Sequence, residues 1–194
     1  LWGYSFVEAI YTASEISAAG GSAGDITSIS YEKSSGSGQT NNIVVYMKNV
    51  SRSSFSGNTD WEQVTASDIV YQGSWTIPTT GWSTITLDVP FSYDGSSNLM
   101  IAVHEYTSGY TTQYFYYTTA TNSVISFHSD SSDPNPYSLG SYSGTIYTQS
   151  NRANIKIEIT DPSGCRAPKN LTIGNLTTDD ADFSCSPGAT ETDW

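Results

Sequence analysis

The chain has 194 residues, with 7 Lys and Arg against 19 Asp and Glu for a formal charge of −12, and aromatic residues make up 13% of it. A phosphate backbone or an anionic bilayer would repel such a chain, so nucleic acid and anionic membrane surfaces are excluded as partners. No stretch approaches about 18 consecutive apolar residues, and Leu1-Trp2-Gly3 carries no basic leader segment, which predicts no membrane insertion and an export signal already removed.

Helical periodicity is nearly absent. The stretch from Phe6 to Ile16 suits a helix or a strand. Beyond it the runs Ile26 to Tyr31, Ile43 to Lys48, Ile69 to Trp75, Thr84 to Phe91, Asn98 to Tyr106, Gln113 to Thr118, Val124 to His128 and Ala153 to Ile159 all have β character. Eight or nine strands at this short spacing predict an all-β fold, a jelly-roll-like antiparallel β-sandwich over residues 1–160. In "GWSTITLDVPFSYDGSSNLMIAV", residues 81 to 103, the first strand alternates and is expected to end at Pro90. The run Leu99 to Val103 is apolar throughout, as in a strand covered on both faces. Residues 51 to 67 read as a structured loop pinned by Phe55 and Trp61, and residues 129 to 144 as a second loop rich in Asp, Pro and Gly.

Asp161 to Gly164 reads as a linker. After it, Leu171, Ile173 and Leu176, then Ala181, Phe183 and Cys185, form two short alternating runs on either side of Thr177 to Asp180. That pattern predicts two half-buried strands and a turn, a module that begins within residues 165–194 and is not completed there. If the strands form a hairpin, Cys165 and Cys185 lie near enough for a disulfide; Cys185 serves equally well as a small buried hydrophobe. The first 164 residues hold no cysteine, which removes thiol catalysis and cysteine-zinc sites from the larger domain.

The chemistry-bearing residues are sparse. Glycoside hydrolysis needs two carboxyls about 5 to 9.5 Å apart, and Glu8, Glu15, Glu32, Glu62, Glu105, Glu158 and Glu191 form no close pair on one strand. Glu8 and Glu158 would meet only if the first and last strands were neighbours, and terminal strands are expected at the sheet edge. His104-Glu105 follows a buried run but lacks a G-x-S-x-G or H-E-x-x-H setting, so no enzyme is expected. Asp130, Asp133 and Asn135 place three oxygen side chains in one loop, the ligand type of a hard cation; calcium is the ion such a site would take, Asp-Pro loops are also common as plain turns, and no other cofactor is expected. The aromatic stretch "HEYTSGYTTQYFYYTTA", residues 104 to 120, is the binding candidate. Tyr106, Tyr110, Tyr114 and Tyr116 lead it, because tyrosine offers contact area and a hydroxyl at low entropic cost.

Two resemblances follow from the residues. "APKNLTIGNLTTDDADFSCSPGATETDW" resembles the first two strands of a fibronectin type III domain, with Pro168, Leu171 and Ile173 in the first and Ala181, Phe183 and Cys185 in the second. Cys185 stands where that family usually has tryptophan. "YSFVEAIYTASEI", "DITSISYEK", "NIVVYMKNVSRSSF", residues 81 to 103 and "NIKIEI" together resemble a repeated β-sandwich module of secreted and cell-surface proteins of Bacteroidetes-type bacteria, in gingipain-adhesin-like architectures. The resemblance implies a non-catalytic adhesion or binding domain, secreted or at the cell surface, with an extracellular protein or glycan as ligand. The alternatives are a carbohydrate-binding accessory module of a larger hydrolase or peptidase, and a structural spacer.

Overall fold

A computed structural model describes residues 3–109, 111–139 and 145–160, and the backbone of residues 169–174 and 182–186. The chain divides into two compact units, Leu1–Ile159 and Thr160–Trp194. The first is an all-β antiparallel sandwich. Its elements are β1 (Tyr4–Tyr11), a short helix α1 (Ala13–Ala18), β2 (Gly24–Gly36), β3 (Gln39–Val50), β4 (Ile69–Ile77), β5 (Gly81–Tyr93), β6 (Asn98–Glu105), β7 (Gln113–Phe115), β8 (Tyr117–Ser129), β9 (Ile146–Ala153) and β10 (Ile155–Thr160). One sheet has the order β4-β3-β6-β1-β8-β9; the other has the order β10-β2-β5, with β7 also paired to β2.

The ambiguous stretch after Phe6 is a strand followed by a helix. Thr12 breaks it: its side chain accepts from the Glu15 N–H while Glu15 reaches back to the Thr12 N–H, a capping box that starts α1. Contrary to the expectation for a terminal strand, β1 lies inside its sheet, between β6 and β8. The reason is legible in β1 itself. Phe6, Glu8 and Ile10 alternate with Val7, Ala9 and Tyr11, so both faces carry buried side chains and both edges can be paired.

The same alternation splits the core. Ile43, Val45, Met47, Leu99 and Ile101 face the opposing sheet and pack on Ile26, Ile29, Ile85 and Leu87. Tyr46, Met100, Ala102, Phe6, Ile10 and Ile125 face the other way. There they pack with Phe55 and Val64 from residues 51–65 and with Leu139. Trp61 lies 5.6 Å from the Phe6 ring, centroid to centroid. The first long loop is therefore part of a second core.

Pro90 does not end its strand. The register of β5 against β2 runs Thr86 to Ser28 and then Phe91 to Ile26, so residues 87–90 oppose Thr27 alone. In that bulge a missing N–H breaks no ladder bond, and the strand continues to Tyr93. In the second unit, β11 (Lys169–Gly174) and β12 (Asp182–Ser186) pair antiparallel, with Ile173 opposite Phe183. Cys165 lies outside the described residues, and Cys185 falls within β12.

Candidate functional site

A sheet of six strands faces one of four, and the surplus leaves a groove. Its floor crosses the inner faces of β6, β1, β8 and β9, with Val7, Val103, Val124, Ser126, Gln149 and Asn151 along it. Its wall is Tyr31 of β2, Trp75 of β4 and Phe115 of β7. The Trp75 and Phe115 rings are stacked, 6.2 Å apart at 21°, and Tyr31 stands 5.7 Å from Trp75. This arm has a volume of about 330 Å³. A second arm of about 330 Å³ shares Val7, Trp75, Val103, Phe115 and Ser126 with it and continues to Gln39, Asn41, Glu105, Thr111 and Gln113.

The chemistry of the second arm differs from that of a core. Trp75 Nε1, Asn41 Oδ1 and Gln113 Oε1 are each buried from solvent and have no hydrogen-bond partner among the described residues. An unsatisfied buried polar group costs about 1 to 3 kcal/mol, and of the six such side-chain atoms among the described residues three lie along this groove, the others being Glu8 Oε1, Trp61 Nε1 and Ser123 Oγ. The orientation of Gln113 is set by its neighbours. Its Nε2 donates to Gln39 Oε1 at 3.1 Å and to Thr111 Oγ1 at 3.2 Å, which turns Oε1 away from both. Thr111 in turn donates to Gln39 Oε1.

The backbone that delivers Gln113 depends on one glycine. Gly36, at φ +107°, pairs with Gln113, and a Cβ there would lie 2.2 Å from the Thr112 carbonyl oxygen. Only a residue without a side chain lets β7 come this near. Among the described residues Glu105 is the one carboxylate lining either arm, and no Lys or Arg lines them. Burial raises its carboxyl above the usual range, partly opposed by the Thr107 N–H, which donates to Oε1 at 2.7 Å.

The residues picked out from the sequence fall elsewhere. Tyr114 and Tyr116 are 53% and 51% exposed, beside Tyr117 at 58%, and line neither arm. Tyr106 packs on the outer face, 5.5 Å from the His104 ring, and Tyr110 lies outside the described residues. From the same segment, Phe115 and Gln113 face the groove. Asp130, Asp133 and Asn135 have separate partners. Asp133 sits 2.7 Å from His104 Nε2, Asp130 accepts from the Gly3 N–H at 3.1 Å, and Asn135 accepts from the Tyr137 N–H at 3.0 Å. Among the described residues no three His, Cys, Asp or Glu side chains are grouped as a metal site.

Glu8 and Glu158 do not meet either. Glu158 accepts from Ser28 Oγ at 2.9 Å in the smaller sheet. Glu8 is wholly buried on the outer face, where its Oε2 accepts from the Glu62 N–H at 2.9 Å and its Oε1 has no partner among the described residues. Burial pushes its carboxyl up to about 8. Beside it the loop carries an ion-pair network, Lys48 to Glu62 at 2.7 Å and Arg52 to Asp60.

The groove residues had a signal in the sequence. Gln39 and Asn41 share strand parity with Ile43, Val45 and Met47, so two amides stand on the face of β3 that is otherwise core. Comparison with protein-family models, curated proteins and solved structures finds no match to this chain.

Proposed function

We propose that the sandwich is a non-catalytic binding module of a secreted or cell-surface protein, and that its ligand seats in the groove between the sheets. The observation that carries this is the set of three partnerless polar atoms, Trp75 Nε1, Asn41 Oδ1 and Gln113 Oε1, on one aromatic-walled groove. A few fixed polar groups in a largely apolar cleft are what orient a ligand. Among the described residues lining this groove Glu105 has no second carboxyl beside it, and glycoside hydrolysis by an acid pair needs two. The resemblances noted in the sequence support the extracellular setting, and with it a fibronectin type III-like character for residues 165–194. Among the described residues, no helix is long and apolar enough to cross a membrane.

A second reading, adhesion to a protein through the outer surface, is favoured by the exposed tyrosines Tyr114, Tyr116 and Tyr117. One experiment separates the two. The full chain and its Asn41→Ala, Trp75→Ala and Tyr114→Ala variants are tested on glycan arrays and on immobilised matrix proteins, with melting curves as the folding control. Loss of binding in the first two variants with retention in Tyr114→Ala supports the groove. The reverse pattern removes it and selects the tyrosine surface.

A further inference from the structure

We infer that the ligand of this groove is a neutral saccharide chain lying across the strands, with Asn41, Gln113 and Trp75 reading its hydroxyls and Glu105 turning away acidic sugars. The inference rests on the groove being the binding site, and it names the ligand class from the complementarity of the lining.

The partnerless atoms are of two kinds. The indole N–H of Trp75 only donates, and the amide oxygens of Asn41 and Gln113 only accept. A ligand that meets these atoms once the side chains turn toward it must therefore accept once and donate twice. Hydroxyl groups do both, and a pyranose carries several around its rim while presenting C–H groups on its faces. Tyr31, Trp75 and Phe115 on the wall supply aromatic surface for such a face. Further along, Ser126, Gln149 and Asn151 continue the hydroxyl and amide lining.

The direction of the groove argues for a chain and against a peptide strand. Running from β3 through β6, β1 and β8 to β9, it spans four strand spacings of about 4.8 Å, roughly 19 Å. From β3 to β8 it crosses strands paired on both sides, and at β9, the edge of the sheet, one side of the backbone is unpaired. A peptide adding to a sheet needs a free backbone edge, whereas this floor offers side chains.

Charge sets the subclass. Among the described residues the lining holds no Lys or Arg, one carboxylate, and His128, whose imidazole burial holds toward the neutral form; with −12 over the chain, no fixed positive charge there compensates a uronic acid, a sulfate or a sialic acid.

The test uses the full chain and calorimetric titration with neutral hexasaccharides of glucan, xylan, mannan and chitin type, and with their uronic-acid or sulfated counterparts. The expected result is binding of at least one neutral series, with an acidic counterpart at least tenfold weaker. Asn41→Ala and Gln113→Ala, both at half-buried positions, should each raise Kd at least fivefold without lowering the melting temperature by more than a few degrees. Glu105→Gln should narrow the gap between neutral and acidic chains. Preference for the acidic chains overturns the inference. Groove-dependent capture of a protein or peptide, with no saccharide bound, overturns the ligand class and leaves the groove as the site. Saccharide binding unaffected by any groove variant overturns the site itself, and the inference with it.

Discussion

Replacing Glu8 by Gln tests whether residues 51–65 truly seal the outer face of the larger sheet. Glu8 has no exposed surface, and water is lost from its carboxyl without a partner for Oε1. That loss is the main reason its proton is held up to about 8, while in an unfolded chain it leaves near 4.5. The nearby charges are secondary: the Glu62 carboxylate pushes the same way, and Arg52 and Lys48 oppose it. Between the two values the folded protein keeps a proton that the unfolded chain has released, so stability falls as pH rises through that window. At about 1.4 kcal/mol per pH unit over roughly 3.5 units, the total is about 5 kcal/mol. Gln keeps the size and, through its carbonyl, the bond from the Glu62 N–H, but it has nothing to ionise. Urea unfolding of both proteins at pH 5, 6, 7, 8 and 9 isolates Glu8, since the titrations of the other groups largely cancel in the difference. The advantage of Glu8→Gln should grow by about 1.4 kcal/mol per unit from pH 5 to pH 8 and then level off. Parallel curves across that range would mean that Glu8 is hydrated and that the loop does not cover it.

Phe55→Ala removes a fully buried ring from the same outer core; it should cost about 3 to 5 kcal/mol in denaturant unfolding and leave ligand affinity in the groove unchanged. Gly36→Ala places a methyl against the Thr112 carbonyl, so β7 must move, with a stability loss of more than about 1 kcal/mol and weaker ligand binding by calorimetry. Millimolar calcium should leave the melting temperature unchanged, because Asp133 is held by His104 and Asp130 and Asn135 by separate backbone N–H groups. A saturated site would raise stability by about 2.7 kcal/mol at one hundred times its dissociation constant, and a shift of that size would show that the loop rearranges around the ion.

The strands with strong alternation were legible in the sequence because burial on one face writes a period of two. Leu99 to Val103 told more, since a strand apolar on both faces must be covered twice, and it is. β9 was missed for the opposite reason. It is an edge strand whose side chains, Gln149 and Asn151 among them, line an open groove, so the hydrophobic alternation is absent. Pro90 misled because a local rule about ladder N–H groups does not foresee a bulge. The site was harder still. Exposed tyrosines draw attention by composition, whereas Asn41 and Gln39 are informative only through their parity with Ile43, Val45 and Met47. Trp75 acquires its meaning from Phe115, which arrives from a strand that folds back from 40 residues away in sequence.

The chain has five tryptophans, and their indole N–H signals in a nitrogen-15 NMR spectrum report on different places. Trp75 lies in the groove, Trp61 lies under the outer loop against Phe6, and Trp82 sits beneath Lys156, whose Nζ is 4.0 Å from its ring centroid. Assignment by Trp75→Phe, followed by titration with the neutral hexasaccharide panel, asks directly whether the partnerless donor of the groove gains a partner. The Trp75 signal should move while those of Trp61 and Trp82 stay in place. A saccharide that shifts Trp82 or Trp61 and leaves Trp75 untouched would contradict this expectation.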